Sequence, residues 1–216
     1  MVETKRGKLI LIEGLDRTGK TTQCELITKR NNYKYYKFPN RETPIGKIIN
    51  SYLSQQNNDG KTLSDQSIHL LFSSNRWELQ EEIKKNLLAG ENIILDRYVY
   101  SGVAYSLAKG IEGMDYEWCF GCDRGLVKPD LTIFLINTGN ADNDGFGDEI
   151  YEKKEIQAKV RQVFETIFTE KEKKEYIKDH FKQLDVTGLG IEEVYEKVES
   201  FVKEETNKDS NRFMYF

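Results

Sequence analysis

The chain has 216 residues, of which 38% are hydrophobic and 31% are charged. This length is typical of one domain, and the hydrophobic fraction can fill a core beneath a heavily solvated surface. The net charge of −4 gives no general attraction for a nucleic acid, and no apolar run approaches the length of a membrane span. The first seven residues carry charges and lack the apolar centre of a signal peptide, so we expect a cytoplasmic protein that could also enter the nucleus.

The three cysteines are Cys24, Cys119 and Cys122. An odd number of cysteines in a chain without a secretion signal favours free thiols. Cys119 and Cys122 have C-x-x-C spacing, but zinc would need two more ligands, and no other cysteine or histidine lies at ligand spacing. We therefore expect neither a zinc site nor redox chemistry.

The most informative pattern spans residues 8–22. An unbroken apolar run at residues 9–12 is typical of a strand that is buried on both faces. Gly14 and Gly19 enclose four residues and are followed by Lys20 and Thr21, which completes the pattern G-x-x-x-x-G-K-[ST]. This pattern predicts a phosphate-binding loop (P-loop) between a strand and a helix.

Each part of the P-loop has a physical role. The glycines let backbone N–H groups turn toward a polyphosphate, and the following helix N-terminus adds a partial positive charge. Lys20 would reach the β- and γ-phosphates, and the Thr21 hydroxyl would bind Mg²⁺. A glycine turn beside a chance lysine is the alternative, but the position between a strand-like run and a helix-like stretch favours a nucleotide site.

Predicted strands and helices alternate along the chain. We expect strands at residues 9–12, 33–37, 92–95, 130–136 and 181–186, and helices at residues 21–30, 44–53, 64–88, 99–109, 149–178 and 191–203. Such alternation predicts an α/β fold, a doubly wound parallel sheet of five strands flanked by helices.

The remaining segments are predicted to be connections within one P-loop domain, residues 1–216. Residues 110–127 read as irregular, residues 137–150 contain a glycine-bearing loop that could serve as a lid, and residues 207–216 read as a tail. No stretch is rich enough in Pro, Gly or Ser to divide the chain.

A P-loop alone does not separate GTPases, motors, ATPases and small kinases. No N-K-x-D motif for guanine is present, and a motor or helicase would usually be longer and more basic. Three further segments narrow the choice: FPNR (residues 38–41), LLFSSNRWE (residues 70–78) and DRYVYSGVAY (residues 96–105).

Together with GLDRTGK (residues 14–20), these segments resemble the thymidylate kinase family, closest to its eukaryotic branch, over about residues 8–200. The resemblance implies an ATP-dependent nucleoside monophosphate kinase that converts dTMP to dTDP with Mg²⁺ as cofactor and forms a homodimer. From the charge and the lack of a long apolar run, we expect no nucleic-acid or membrane partner. The resemblance implies ATP contacts from Gly14, Arg17, Thr18, Gly19, Lys20, Thr21 and Thr22.

The resemblance also assigns the acceptor site. Arg41 and Arg97 would clamp the dTMP phosphate, because forked donors suit phosphate oxygens and both residues follow predicted strand ends. Phe72 would stack on thymine and Arg76, one helical turn later, would hydrogen-bond the edge of the base. Phe72 could alternatively be a core residue.

The sugar and metal positions follow from the same resemblance. Asp16 would bind the 3′-hydroxyl, and Tyr105 would crowd the 2′ position. Asp96 would hold Mg²⁺ through water, in addition to the Thr21 hydroxyl, and an ordinary helix cap is the alternative role of Asp96. Further substrate-pocket positions are Phe38, Ser101, Gly102, Tyr151 and Gln157, and the Phe38–Pro39 bond is expected to be cis.

The predicted catalytic residues are Asp16, Arg17, Lys20 and Arg97. The acceptor is a phosphate oxygen, so catalysis needs positioning and charge neutralisation rather than a strong base. The family resemblance implies that the transition-state cation comes from either the P-loop or the lid. Because no Lys or Arg lies between Pro129 and Glu152, the resemblance points to Arg17 in the P-loop. A solvated loop arginine is the alternative.

Two positions depart from the family pattern: Asn40 replaces an acidic residue, and Ile150 replaces an arginine common in relatives. Two other functions remain open. A nucleoside kinase of related fold would use a carboxylate base, which Asp16 could supply, but would leave two phosphate-clamping arginines without a purpose. A non-catalytic nucleotide switch would bind ATP without turnover that depends on dTMP.

Overall fold

The computed structural model describes residues 5–54, 63–139, 151, 154–209 and 211–216. Most of the predicted lid, residues 140–150 with Ile150, lies outside these ranges. The strands are β1 (Leu9–Gly14), β2 (Lys34–Lys37), β3 (Ile93–Asp96), β4 (Val127–Lys128), β5 (Leu131–Ile136), β6 (Phe181–Asp185) and β7 (Met214–Tyr215). Five of them form a parallel sheet, as the sequence predicts, and their order is β2-β3-β1-β5-β6.

Helices cover both faces of this sheet. They are α1 (Lys20–Asn31), α2 (Pro44–Leu53), α3 (Asp65–Leu88), α4 (Val99–Leu107), α5 (Tyr116–Gly121), α6 (Lys154–Thr166), α7 (Lys174–His180) and α8 (Ile191–Thr206), with a π-helical turn at Ile167–Lys171. Among the described residues, no helix combines the length and the apolar character that crossing a membrane requires.

Strand β1 shows why its sequence is continuously apolar. Leu9 and Leu11 pack into a core that also contains side chains of α3, α4 and α6. Ile10 and Ile12 point the other way, into a core shared with α1 and α8. Alternate residues of a strand face opposite sides of the sheet, so covering both faces requires apolar residues at every position.

Two helical regions differ from the sequence prediction. Residues 110–127, predicted to be irregular, contain α5. The N-cap of this helix is Asp115, whose side chain accepts a hydrogen bond from the Trp118 N–H. Six residues are too few for a helical period to be seen in the sequence. The predicted helix at residues 149–178 is interrupted by the π-helical turn before α7.

The segment after α8 folds back onto the protein. Met214 and Tyr215 pair antiparallel with β4, and the ring of Phe216 lies 5.9 Å from that of Tyr98. Nearby, Arg6 donates two hydrogen bonds to Asp130, at 2.8 and 2.6 Å, in a buried ion pair. The expected tail is therefore packed at its end.

The parallel arrangement brings three chain segments to one edge. In register, Ile12 of β1 and Lys37 of β2 both pair with Asp96 of β3. The P-loop, the Phe-Pro segment and Arg97 therefore leave the sheet at neighbouring strand ends. Ligands of open α/β sheets bind at this carboxyl edge.

His69 joins three helices on one side of the sheet. Its Nε2 lies 2.7 Å from the Cys119 carbonyl oxygen, and its Nδ1 lies 2.7 Å from Ser106 Oγ. A carbonyl oxygen only accepts, so Nε2 carries the proton and Nδ1 accepts from the hydroxyl. Burial lowers the pKa of His69 and favours this neutral form.

This pKa shift predicts a pH-dependent stability. The unfolded chain protonates His69 near its ordinary pKa of about 6.5, whereas the folded protein resists protonation, so acidification favours unfolding. We expect the urea midpoint to fall between pH 7.5 and 5.5, with His69 contributing at most about 1.4 kcal/mol per pH unit. His69→Gln should flatten this dependence, and an unchanged slope in the variant would contradict the assignment.

Candidate active site

A cavity of about 400 Å³ opens at the carboxyl edge of β1, β2 and β3. Its lining contains the following predicted site residues: Asp16, Arg17, Gly19, Lys20, Thr21, Thr22, Phe38, Arg41, Phe72, Arg76, Arg97, Ser101, Gly102, Tyr105 and Tyr151. The other predicted positions contact this lining from behind: Gly14, Thr18, Asp96 and Gln157. The structure thus brings residues that are more than 130 positions apart in sequence to one space.

The P-loop backbone explains its glycines. Gly14 has φ 148°, and a Cβ there would lie 2.5 Å from the Leu135 carbonyl oxygen, which no side chain tolerates. Gly19 has φ 82° directly before α1. The Lys20 ammonium donates to the Leu15 carbonyl oxygen, and its pKa falls to about 7 because of burial, with Arg97 adding to the effect. A polyphosphate would favour its protonated form.

Asp16 is the centre of a charged cluster. Arg97 donates to its Oδ1, while Oδ2 accepts from the Tyr105 hydroxyl at 3.0 Å and from Gln157 Nε2 at 2.5 Å. Burial alone would raise the pKa of Asp16, but Arg97, Lys20 and these hydrogen bonds lower it. The carboxylate is therefore a charged acceptor, already committed to three donors.

Arg97 connects the ends of β3 and β1. It has φ 65°, an uncommon backbone conformation for a residue with a side chain. Its Nη1 donates to the Gly14 carbonyl oxygen at 3.0 Å and to Ser101 Oγ at 3.2 Å. These contacts hold the guanidinium against the P-loop, at the cavity wall.

Glu13 supports this arrangement and was not singled out from the sequence. Its buried carboxylate accepts from the backbone N–H of Tyr98 and Ser101, at 2.9 and 3.0 Å, and from Ser101 Oγ at 2.6 Å. It thereby satisfies the N–H of Tyr98, the residue before α4, and the N–H of Ser101 in the first turn of that helix. Burial raises its pKa, although Arg97 opposes the shift. A charged residue inside an apolar strand was the available signal, since buried charges need partners.

Two side chains with oxygen atoms, Thr21 at the start of α1 and Asp96 at the end of β3, contact each other. Thr21 Oγ1 donates to Asp96 Oδ2 at 2.6 Å, and the Tyr35 hydroxyl donates to the same oxygen at 3.2 Å. Asp96 Oδ1 is buried and has no hydrogen-bond partner among the described residues. Oxygen donors with an unfilled lone pair suit a hard cation such as Mg²⁺, which in kinases is held by few protein ligands plus phosphates and water.

The segment after β2 carries Arg41 to the cavity. The Phe38–Pro39 peptide is cis, which confirms the prediction from the family resemblance. Asn40, which follows Pro39, is held by Asn75 of α3. The Asn75 side chain accepts from the Asn40 N–H at 2.8 Å and donates to the Asn40 carbonyl oxygen at 3.1 Å. Arg41 is exposed and donates to Asn50 Oδ1 at 2.9 Å.

On α3, Phe72 and Arg76 share one helix face. Phe72 is half-buried and lines the cavity, which favours a ligand-facing position over a place in the core. Arg76 is 2% exposed and donates two hydrogen bonds to Asp123, in the loop after α5. Sequence reasoning missed Asp123, because this loop has no pattern that links it to α3.

Tyr151 and Gln157 close one side of the cavity. Gln157 Nε2 donates to the Tyr151 carbonyl oxygen at 2.9 Å as well as to Asp16. The ring of Tyr151 lies 5.5 Å from that of Tyr105. Both predicted residues therefore pack around the tyrosine that contacts Asp16.

Comparison with known proteins places the chain in a family. A family model described as thymidylate kinase matches residues 12–187. The chain belongs to the thymidylate kinase family. It is 42% identical to a thymidylate kinase of Dictyostelium discoideum, over 94% of this chain and 88% of that protein, and 38% identical to one of Danio rerio, over 93% and 95%.

A solved structure shows the same relationship. Thymidylate kinase from Candida albicans is 40% identical and superimposes with a TM-score of 0.85, with 98% of each chain covered. Members of the thymidylate kinase family are ATP-dependent nucleoside monophosphate kinases, so this chain is a phosphotransferase.

Proposed function

We propose that this thymidylate kinase family member transfers the γ-phosphoryl group of ATP to the phosphate of dTMP, which gives dTDP and ADP. The observation that carries the proposal is that one continuous cavity joins three parts of the site. These are the P-loop, the pair Arg41 and Arg97, and the face of α3 that carries Phe72 and Arg76. A phosphate acceptor accounts for both arginines, and a base accounts for the aromatic ring beside a fixed hydrogen-bond donor.

The ATP phosphates would lie in the P-loop, bound by backbone N–H groups and by Lys20. The proposed ATP contacts are Gly14, Arg17, Thr18, Gly19, Lys20, Thr21 and Thr22. Thr21 and Asp96 would hold Mg²⁺, Asp96 through water, and the cation would neutralise charge on the ATP phosphates. The geometry that supports the metal site is the short Thr21–Asp96 contact and the unpartnered Asp96 Oδ1.

The dTMP phosphate would be bound by Arg41 and Arg97, and thymine would stack on Phe72 with its edge toward Arg76. Asp16 would bind the 3′-hydroxyl. The Tyr105 ring would crowd the 2′ position, and its hydroxyl donates to Asp16. The other proposed substrate contacts are Phe38, Ser101, Gly102, Tyr151 and Gln157.

Arg17, Lys20 and Arg97 would neutralise charge during the transfer, while Asp16 orients the acceptor. The alternative of a nucleoside kinase is disfavoured by the state of Asp16. Its lowered pKa and its three donors make it a poor base for a hydroxyl acceptor. We also propose a homodimer, since Leu70 and Trp77 are exposed two turns apart on one face of α3.

A coupled assay for ADP tests the proposed reaction. With ATP and Mg²⁺ fixed, we expect turnover that depends on dTMP and is absent with thymidine or without an acceptor. Turnover with thymidine would instead identify a nucleoside kinase. ATP binding without turnover on any nucleoside monophosphate would support a nucleotide switch.

Phe72→Ala should weaken dTMP binding, because the stacking surface for the base is lost. We expect an increase in KM for dTMP that corresponds to about 1–3 kcal/mol, by analogy with stacking of bases on aromatic rings. The KM for ATP should barely change. Phe201→Ala, at a half-buried phenylalanine of α8 on the other side of the sheet, is the control. If Phe72 were a core residue, its variant would lose thermal stability at an unchanged KM for dTMP.

Arg17→Gly should lower kcat, because Arg17 would contact the phosphoryl group most strongly in the transition state. Glycine avoids strain at this position, where φ is 64°. We expect a loss in kcat of at least about 10²-fold, the lower margin of arginine effects in phosphoryl transfer, with a much smaller change in KM for dTMP.

Arg30→Ala controls for the loss of one positive charge, since Arg30 lies at the far end of α1 and pairs with Glu192. A kcat for Arg17→Gly within a few fold of wild type at saturating substrates would refute the role of Arg17.

A further inference from the structure

Arg76 is fixed in its plane by one carboxylate. Its Nε donates to Asp123 Oδ1 at 3.0 Å, and its Nη2 donates to Asp123 Oδ2 at 2.6 Å. The two side chains are 2% and 0% exposed, so water does not compete for these hydrogen bonds. A forked pair of this kind restricts the orientation of the guanidinium as well as its position.

Asp123 is in turn held by α3 itself. The Ser73 hydroxyl lies 2.7 Å from Asp123 Oδ1 and 3.1 Å from the Cys122 carbonyl oxygen, and Trp77 Nε1 donates to that carbonyl oxygen at 2.8 Å. Ser73 and Trp77 flank Arg76 on the same helix. The loop that carries Asp123 is therefore tied to the helix that carries Arg76, on both sides of the arginine.

The third nitrogen of the guanidinium, Nη1, is the one that does not bind Asp123. No hydrogen bond from Nη1 of Arg76 is found within the described part of the chain, and Arg76 lines the cavity together with Gly102. A Cβ on Gly102 would lie 2.7 Å from both Nη1 and Nη2. The missing side chain of Gly102 is thus the space that the guanidinium occupies.

We infer that Asp123 is a positioning residue for base selection, which makes Arg76 a fixed donor to a carbonyl oxygen on the base. This inference rests on the proposed function. Arginine only donates hydrogen bonds, so a fixed Nη1 suits the O4 acceptor of thymine and opposes the amino group that cytosine carries at the same position. Asp123 also neutralises Arg76, so that an uncharged base meets no unpaired charge.

Asp123→Asn tests this role directly. The amide keeps the size of the side chain but has one acceptor oxygen, and its NH₂ group faces the donors of Arg76. The guanidinium should lose its fixed plane. We expect kcat/KM for dTMP to fall at least about tenfold, mainly through KM, which is the range of one lost discriminating contact to a base.

The decisive measurement is the preference for dTMP over dCMP, with dCMP followed as a substrate or as a competitive inhibitor. In Asp123→Asn the preference should narrow at least about fivefold, because dCMP does not use the oriented donor. The KM for ATP should stay within about twofold, since the P-loop is not altered. A folded variant with an unchanged preference would overturn the inference.

The chain contains a matched control. Asp130→Asn weakens the pair between Arg6 and Asp130, which is also buried and doubly hydrogen-bonded, with side chains 4% and 5% exposed, but does not line the cavity. This variant should lose thermal stability as Asp123→Asn does, and should keep the wild-type preference for dTMP over dCMP. Equal narrowing in both variants would mean that general loosening causes the effect, and the inference would fail.

Gly102→Ala perturbs the same guanidinium from the opposite side. Alanine is well tolerated within α4, but its Cβ would displace a group that Asp123 prevents from moving aside. It should narrow the preference as Asp123→Asn does, and it decides the question if Asp123→Asn does not fold. An unchanged preference in Gly102→Ala would then overturn the inference. Wild-type protein that does not phosphorylate dTMP would instead refute the proposed function.

Discussion

The contact between Arg97 and Asp16 is the interaction on which the site depends. It joins the end of β3 to the P-loop that follows β1, and it places a cation beside the phosphate-binding backbone. Glu13, buried below, fixes the start of α4 and thereby the chain on which Arg97 lies. Because an unpaired buried charge is costly, each of these charges depends on its hydrogen-bond partners.

The pairing of cationic side chains with carboxylates explains how the protein folds stably with several cationic side chains around one cavity. Arg97 is balanced by Asp16, and Arg76 by Asp123, while Lys20 donates to its own loop and has a pKa near 7. A phosphate that binds Arg97 or Lys20 would therefore exchange one set of hydrogen bonds for another. The donors are held in place before the substrate arrives, which limits the reorganisation that binding requires.

The sequence predicted the features that depend on local pattern. The apolar runs of the parallel strands, the glycines of the P-loop and the length of α3 all follow from neighbours within a few positions. The partners of buried charges do not. Glu13 meets Ser101 across 88 positions and Arg76 meets Asp123 across 47, so neither partner is visible in a local window. Helix α5 was missed because it is too short for periodicity.

The two buried arginine–aspartate pairs show that local sequence pattern does not reveal which of them lies at the cavity. Arg6–Asp130 and Arg76–Asp123 have the same chemistry, similar distances and nearly the same burial. One lies beneath the C-terminal segment, and the other lines the cavity. The difference arises from tertiary packing. Helix α4 contacts Arg76 through Gly102, and the absence of a side chain there leaves room for the guanidinium. Arg76 lines the cavity because its partner Asp123 and the gap at Gly102 are both supplied by segments distant in sequence.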